Sequence, residues 1–199
     1  MNGISRALLS MAVLSLPALS SAQQQATRPT ESQFSYSYVE IGYDEIDYEV
    51  SGAGDIDGDG LTLSGSYELT DDWHVFASYG TFDLDFGIDL DTWAIGAGYV
   101  YPIRNDVDIY GRVLYIDSSV DVGPFSDDDD GLGVQGRIRY RVSDEFEVEG
   151  GLQYIDVADS DTSLQASARY YFTDDFSVGL GVTFGGDSDG IGINARLAF

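Results

Sequence analysis

The chain has 199 residues and a formal net charge of -26, with 35 acidic residues against nine basic ones, and all nine are arginine. This balance argues against nucleic-acid binding, because phosphate would repel the chain. The absence of cysteine excludes disulfides, thiolate nucleophiles and cysteine metal sites.

The first 22 residues have the pattern of a secretory signal peptide. Arg6 supplies a positive charge, residues 7–19 are mostly apolar, and Ser20, Ser21 and Ala22 are small enough for a signal peptidase site. We predict that residues 23–33, which are polar and aperiodic, form a flexible lead-in. Residues 34–199 are expected to form a single domain.

Beyond residue 33 the apolar residues recur at every second position, which is typical of strands with one apolar and one polar face. Trp73, Val75, Ala77 and Tyr79 show this alternation, and no helical period competes with it. The pattern predicts ten strands, at about residues 34–44, 61–69, 73–82, 92–101, 107–117, 131–142, 146–155, 162–172, 176–185 and 190–199.

The connections between these strands alternate between short and mostly longer ones. The short ones are 70–72, 102–106, 143–145 and 173–175; the others are 45–60, 83–91, 118–130, 156–161 and 186–189. Strands of roughly 9–11 residues can cross a bilayer, and this alternation of turns and loops is typical of outer-membrane barrels. We predict an all-β fold: a closed, antiparallel, up-and-down transmembrane β-barrel of ten strands, with eight as the alternative.

A water-soluble barrel could show the same alternation, but three features favour the membrane. Aromatic residues lie near both ends of the apolar faces, such as Trp73 and Phe176 near the short turns and Tyr79 and Trp93 near the loops, as in interfacial girdles. The other face is polar, charged and rich in glycine, whereas a small soluble barrel has an apolar interior. A signal-peptide pattern precedes the strands.

The arginines fall on the polar face of the predicted strands. If residues 143–145 form a turn, Arg141 lies opposite Glu147 and Arg139 opposite Glu149, and opposite charges across a ladder stabilise it. Such ion pairs would plug a narrow lumen; a solvated polar face is the alternative. If the last strand pairs with the first, Arg196 can reach Glu40. The predicted lumen residues are Glu40, Arg112, Arg137, Arg139, Arg141, Glu147, Glu149, Arg169 and Arg196.

The predicted long loops carry the negative charge and no basic residue. Residues 55–60, DIDGDG, match the first half of an EF-hand calcium loop, but the twelfth position is Ser66 and the flanks are strands, so no EF-hand is predicted. Asp55, Asp57 and Asp59 remain weak candidates for binding Ca²⁺ or Mg²⁺, with a solvated acidic rim as the alternative. No other metal site and no cofactor are predicted.

Enzymatic activity is not predicted. The sequence contains no H-E-x-x-H or P-loop motif. Its one histidine, His74, follows a short turn, and its predicted register places it opposite Glu68 in a structural pair.

Four segments carry a family resemblance: YSYVEIGY (36–43), ELTDDWHVFASYG (68–80), DTWAIGAGY (91–99) and ARYYFTDDFSVGLG (168–181). They resemble the small outer-membrane β-barrel proteins of xanthomonads and related proteobacteria, which are loosely akin to the OmpA and OmpX transmembrane domains. The terminal Phe199 resembles the signal that the outer-membrane assembly machinery reads. The resemblance implies the barrel fold and supplies no catalytic residue.

These observations together predict a monomeric outer-membrane barrel with a plugged lumen and acidic surface loops. Its role would be structural or interactive, with outer-membrane lipid, lipopolysaccharide and the barrel-assembly machinery as partners. A small cation-selective pore and a lipid-modifying enzyme are the alternative functions.

Overall fold

The computed structural model describes residues 32–50, 54–157, 159–185 and 188–199, and the predicted signal peptide and most of the predicted lead-in lie outside them. Ten antiparallel strands form a closed barrel in which β1 pairs with both β2 and β10, so the predicted fold is confirmed with ten strands rather than eight. No helix among the described residues is long and apolar enough to cross a membrane. The strands are β1 Tyr38–Val50, β2 Gly54–Glu68, β3 Trp73–Leu84, β4 Ile88–Arg104, β5 Val107–Val122, β6 Phe125–Ser143, β7 Phe146–Val157, β8 Asp159–Tyr171, β9 Phe176–Phe184 and β10 Ser188–Ala198.

An apolar belt surrounds the outside of the barrel. Leu63, Ile95, Val113, Leu132 and Leu180 each point outward with 59–61% of their surface exposed. Aromatic pairs border the belt, with Trp73 against Tyr99 near one end and Tyr79 against Trp93 near the other. So large an exposed apolar surface is expected only where lipid or another apolar partner covers it.

The two ends of the barrel differ in strand length. The turn end carries the connections β2–β3, β4–β5, β6–β7 and β8–β9 together with Phe199. At the extended end the strands continue past the aromatic border, and β4, β5 and β6 reach 17, 16 and 19 residues. Since roughly 9–11 residues suffice to cross a bilayer, several residues of each of these strands project beyond it.

The segments predicted as long loops are therefore mostly strand, and that part of the prediction was wrong. The two-residue alternation continues through them with its polarity reversed. On β5, Val113 and Tyr115 face outward, and Asp121 occupies the same face six residues after Tyr115. Val120 and Val122 face the lumen instead. Outside the lipid the outer face must be solvated, so the charged residues take it and the apolar residues turn inward.

The start of the first strand also differs from the prediction, which placed it at residue 34. Strand β1 begins at Tyr38, and residues 32–37, here named the strap, cross the turn end of the barrel. Phe199 N donates to Ser37 O at 3.0 Å, and Gln33 N donates to Asn105 O at 3.1 Å. Because Asn105 lies in the β4–β5 turn, the strap spans the mouth from β1 to the far wall.

Candidate functional site in the lumen

The centre of the lumen contains an ion-pair cluster built on β6 and β7. The observed register places Arg139 opposite Glu149 and Arg141 opposite Glu147. The shortest contacts are diagonal, however: Arg139 donates two hydrogen bonds to Glu147 at 3.0 and 3.1 Å, and Arg137 donates to Glu149 at 2.7 Å. The directly opposed pairs are longer, at 3.6 Å for Arg139–Glu149 and 3.5 Å for Arg141–Glu147.

Diagonal pairing follows from the length of the side chains. Residues diagonal across a ladder are within reach of long side chains, and the planar guanidinium binds both oxygens of a carboxylate only when it approaches along their plane. Arg139 and Glu147 are both about 3% exposed, which makes theirs the most deeply buried charge pair among the described residues.

A second ion-pair group joins the first strand to two others. Glu40 accepts hydrogen bonds from Arg196 at 2.8 Å and from Arg169 at 2.7 Å. Arg196 lies directly opposite Glu40 on the neighbouring strand β10, whereas Arg169 reaches it from β8 across the lumen. Arg169 also donates to Ser177 at 3.3 Å. One carboxylate therefore links β1, β8 and β10.

Arg112 differs from the prediction, because it forms no ion pair with any described carboxylate. Its Nε donates to His74 Nε2 at 2.9 Å and its NH2 group donates to Tyr38 at 3.3 Å. Its guanidinium lies 4.5 Å from the Phe76 ring centre and 5.0 Å from that of Tyr110, so aromatic faces replace a carboxylate.

The predicted side-chain pair of His74 with Glu68 is not formed, although the two residues have the predicted register. Glu68 accepts from the backbone N–H of Tyr36 at 3.2 Å, and His74 is fully buried and stacks on the Tyr36 ring at 5.0 Å. The reason is the strap, which offers Glu68 a backbone donor and His74 an aromatic partner.

The strap packs directly beneath the ion-pair cluster. Arg139 lies 4.5 Å from the ring centre of Phe34 and 4.8 Å from that of Tyr36. Asp108 accepts hydrogen bonds from Ser32 at 2.6 Å and from Tyr36 at 3.2 Å. Phe34 and Tyr36 are 4% and 2% exposed. At this end the lumen is therefore occupied by aromatic rings and charged groups in contact.

Above the cluster lies a layer of amides. Arg137 donates to Gln165, Gln165 donates to Gln153 at 3.3 Å, and Gln135 donates to the same oxygen of Gln153. Two cavities adjoin this layer toward the extended end. A polar one of about 300 Å³ is lined by Glu40, Arg137 and other charged groups.

The larger cavity, here named the cup, has a volume of about 960 Å³ and is lined by β3 to β7. Its wall is mainly apolar but includes the hydroxyls of Thr92 and Ser118, which are hydrogen-bonded at 3.3 Å. Gln135 and Gln153 form its floor. Gly133 makes room for the wall, because a Cβ there would lie 3.2 Å from Leu114 and 3.3 Å from Ile116. The principal wall residues are Leu90, Leu114, Ile116, Val120, Ile155 and Val157.

Acidic residues cover the outer face of the extended end. Eight of them, here named the acidic collar, are exposed and stand opposite one another in two rows across neighbouring strands. The rows are Glu45–Asp59–Asp83–Asp89–Asp121 and Asp189–Asp47–Asp57.

The weak metal candidates belong to this end of β2. Asp57 and Asp59 lie in the acidic collar, whereas the side chain of Asp55 is outside the described part of the structure. No three acidic or histidine side chains among the described residues are arranged to hold a metal ion. The pKa of Asp57 is raised because Asp47 hydrogen-bonds to it and adds a negative charge beside it.

The strap and the cup were not predicted as features of the site. The signal for the strap was present, since Phe34, Tyr36 and Tyr38 continue the inward alternation of β1. The signal for the cup was the apolar residues between the aspartates in segments such as IDLD (88–91) and VDV (120–122).

Comparison with known proteins gives a family and several similar folds. Residues 8–184 match the family model described as "Outer membrane protein beta-barrel domain". Neisserial surface protein A is 18% identical, with 83% of this chain and 98% of that chain covered and a TM-score of 0.46. The attachment invasion locus protein Ail of Yersinia pestis is 18% identical, with 81% and 97% covered and a TM-score of 0.43. The KdgM porin in complex with oligogalacturonate is 10% identical, with 80% and 99% covered and a TM-score of 0.48. No curated protein matches the sequence.

Proposed function

Since the chain belongs to the outer membrane β-barrel protein family, we propose that its lumen is plugged and that its role is structural or surface-binding. As a member of that family it resides in the outer membrane, and short turns in such barrels face the periplasm. The turn end is therefore periplasmic and the extended end faces the outside. Kinship with the small barrels of xanthomonads, a monomeric state, and recognition of Phe199 by the assembly machinery belong to the same proposal.

The observation that carries the proposal is the bidentate pair of Arg139 with Glu147, closed from below by the strap. A hydrated ion would have to separate these buried charges and move the rings of Phe34 and Tyr36. Separating one partner of a buried ion pair from the other is costly, because the remaining charge loses its compensation. This arrangement favours a closed lumen over the small cation-selective pore.

Conductance in planar bilayers tests the proposal. We expect the purified barrel to insert and give no steady openings. A variant lacking residues 32–37 and carrying Arg139→Ala and Glu147→Ala is the matched control, because it removes the two features on which the proposal rests. Insertion of both proteins is checked by protease protection in vesicles of the same lipid. Steady, cation-selective openings of the unmodified barrel would contradict the proposal and support the pore.

The surface role rests on the acidic collar, which encircles part of the barrel just outside the aromatic border. Lipopolysaccharide is anionic, so carboxylates there require divalent cations to bridge them to its phosphates. We expect Mg²⁺ or Ca²⁺ to raise the unfolding temperature of the barrel in lipopolysaccharide-containing vesicles more than NaCl of equal ionic strength does. The variant D59N/D83N should lose that difference, and an unchanged difference would count against bridging by the collar.

A lipid-modifying activity is the least supported alternative. His74 lies deep at the periplasmic end and is engaged by Arg112 and Tyr36, so it cannot act on a lipid in the outer leaflet. Unchanged lipid A in a deletion strain is the expected result, and an altered acylation pattern that the cloned gene restores would contradict a non-enzymatic role.

A further inference from the structure

The cup is more apolar than the other described cavities of the lumen. Its lining also includes the hydroxyl residues Ser78, Thr92 and Ser118. Leu114 on β5 and Ile155 on β7 flank Gly133 in one row across the strands, and Leu90 stands opposite Val120 nearer the mouth. The apolar side chains of the cup face the lumen rather than lipid. A pocket of roughly 300–1,000 Å³ with an apolar lining and a few polar groups is the usual form of a site for small organic molecules.

The wall of the cup packs on itself only at its base, around Phe76, Leu114 and Ile116. Each strand is hydrogen-bonded to two neighbours around a closed ten-stranded barrel, and this geometry holds the opposing walls apart. At the base, Leu114 and Ile116 are only 5% and 7% exposed, packed with Phe76. Leu90 and Val120 instead remain partly exposed to water until another molecule covers them. Only an apolar body can do so favourably.

The mouth of the cup carries negative charge. Asp127 and Asp129 on β6 line the cup, whereas their neighbours Asp128 and Asp130 alternate to the outer face. Asp127 stands opposite Val120, so a carboxylate lies directly beside the apolar wall. No described arginine lines this cavity. A molecule seated here would meet apolar side chains along its body and acceptors without counter-charges at its outer end.

We propose that the cup is an externally accessible binding site for small amphipathic cations with a compact apolar body and an ammonium or similar group. The body lies against Leu90 and Val120, with Leu114 and Ile116 beneath it, and the cation faces Asp127 and Asp129. The site rests on the proposed orientation, in which the extended end faces the outside, but it does not require a closed lumen, because the cup lies above the ion-pair cluster. The two proposals fail separately: steady conductance would overturn only the closed lumen, and absence of saturable cation binding would overturn only the cup.

Three probes with the same body separate charge from apolar contact: 1-adamantylamine, 1-adamantanol and 1-adamantanecarboxylate. Binding to the full barrel in lipid nanodiscs is measured by calorimetry, with empty nanodiscs subtracted to remove partition into lipid. We expect saturable binding that is strongest for the amine, weaker for the alcohol and weakest for the carboxylate. Equal binding of all three, or no saturable binding of the amine, would overturn the proposal.

Two matched variants on β6 test the carboxylates. D127N/D129N should weaken binding of the amine about tenfold, or about 1.4 kcal/mol, and leave the alcohol unchanged. D128N/D130N makes the same change of charge on the outer face and should leave the amine nearly unchanged. If both variants lost affinity for the amine equally, the effect would come from the overall negative charge of the extended end rather than from a specific site. That result would overturn the assignment.

The apolar wall is tested by L90N/V120N, which replaces two directly paired wall residues. Binding of the amine and of the alcohol should both fall about tenfold. Folding of every variant is checked first by heat-modifiable migration on gels, and only variants that keep this migration are compared. Unchanged binding of both probes by folded L90N/V120N would place them elsewhere and contradict the proposal.

Discussion

Asp83 and Asp89 stand directly opposite each other on β3 and β4, and both side chains are exposed on the outside of the barrel. Asp59 and Asp121 extend the row on either side. Like charges in direct cross-strand pairs destabilise a sheet, so this row cannot be explained by the stability of the strands. Its position fits a boundary: below it the outer face meets lipid, and above it the outer face meets water.

The boundary predicts opposite results for one substitution at two heights on β5. Val113→Arg places a cation in the middle of the apolar belt, where lipid-facing arginine costs about 2–4 kcal/mol of folding free energy. Ser119→Arg lies on the same face six residues further on, opposite Asp91 and Asp128. It should raise stability or leave it unchanged. Equilibrium unfolding in lipid vesicles measures both, and equal destabilisation by both variants would contradict the boundary.

The buried ion pair predicts a large effect for Arg139→Ala. Removing the guanidinium leaves Glu147 with only Arg141 at 3.5 Å and the Tyr171 hydroxyl at 2.8 Å as partners, which should cost about 3 kcal/mol of unfolding free energy, the low end for a broken buried pair. Arg104 and Asp106 form a matched pair on the surface of the β4–β5 turn, with Arg104 60% exposed. Arg104→Ala should have little effect, because exposed pairs are screened by solvent. If the two substitutions changed unfolding equally, burial would not be what strengthens the Arg139 pair.

The strand count and the inward arginines could be predicted because they depend on one local rule. Two-residue periodicity assigns faces, and the predicted turn at residues 143–145 gives the observed register at Arg139 and Arg141, although β6 extends to Ser143 and its register shifts between Arg141 and Ser143. The sequence could not predict that Arg139 pairs with the diagonal Glu147 rather than with the opposite Glu149, since this depends on guanidinium geometry in a crowded lumen. The strap was missed for a related reason: its partners Asn105 and Asp108 are distant in sequence.

The acidic segments were misread because composition outweighed periodicity. Aspartate and glycine are typical of loops, yet in segment 88–91 the apolar residues Ile88 and Leu90 still alternate with the charges. The reversal of polarity can be recognised in the sequence if the strands are assumed to extend beyond the membrane. The cup follows from that reversal, but its volume depends on the closure of ten strands.

Close packing around His74 predicts that Gly98→Ala is destabilising. A Cβ at Gly98 would collide with the His74 ring and lie 2.9 Å from Arg112 Cγ. The ring is held between Tyr36 and Arg112, so it cannot move away freely. Overpacking of this kind costs about 1–3 kcal/mol. Gly136→Ala is the control, because a Cβ there has no atom within 4 Å. Thermal unfolding in detergent should separate the two, and equal melting temperatures would contradict this packing.

The pair of Asp47 and Asp57 predicts a pH-dependent effect of Asp47→Asn. The pKa of Asp57 is raised in the folded barrel by the hydrogen bond and charge of Asp47. The folded state therefore binds protons more readily than the unfolded state, and stability falls as pH rises through that pKa. Asp47→Asn removes the cause, so its stabilising effect should be largest at pH 7 and shrink toward acid pH. A difference in melting temperature that is constant with pH would contradict the coupling.

The most direct test of the account is a spin-label scan of β5, because the reversal of polarity defines both the membrane boundary and the cup. The chain has no cysteine, so each introduced cysteine carries the only label. Labels at 109, 111, 113 and 115 should be accessible to oxygen in lipid and protected from a water-soluble nickel complex. Labels at 117, 119 and 121 should be accessible to the nickel complex, with reduced accessibility at 116, 118 and 120. Oxygen accessibility that continues through 121, or loss of the alternation after 116, would contradict a barrel that extends beyond the membrane with its faces reversed.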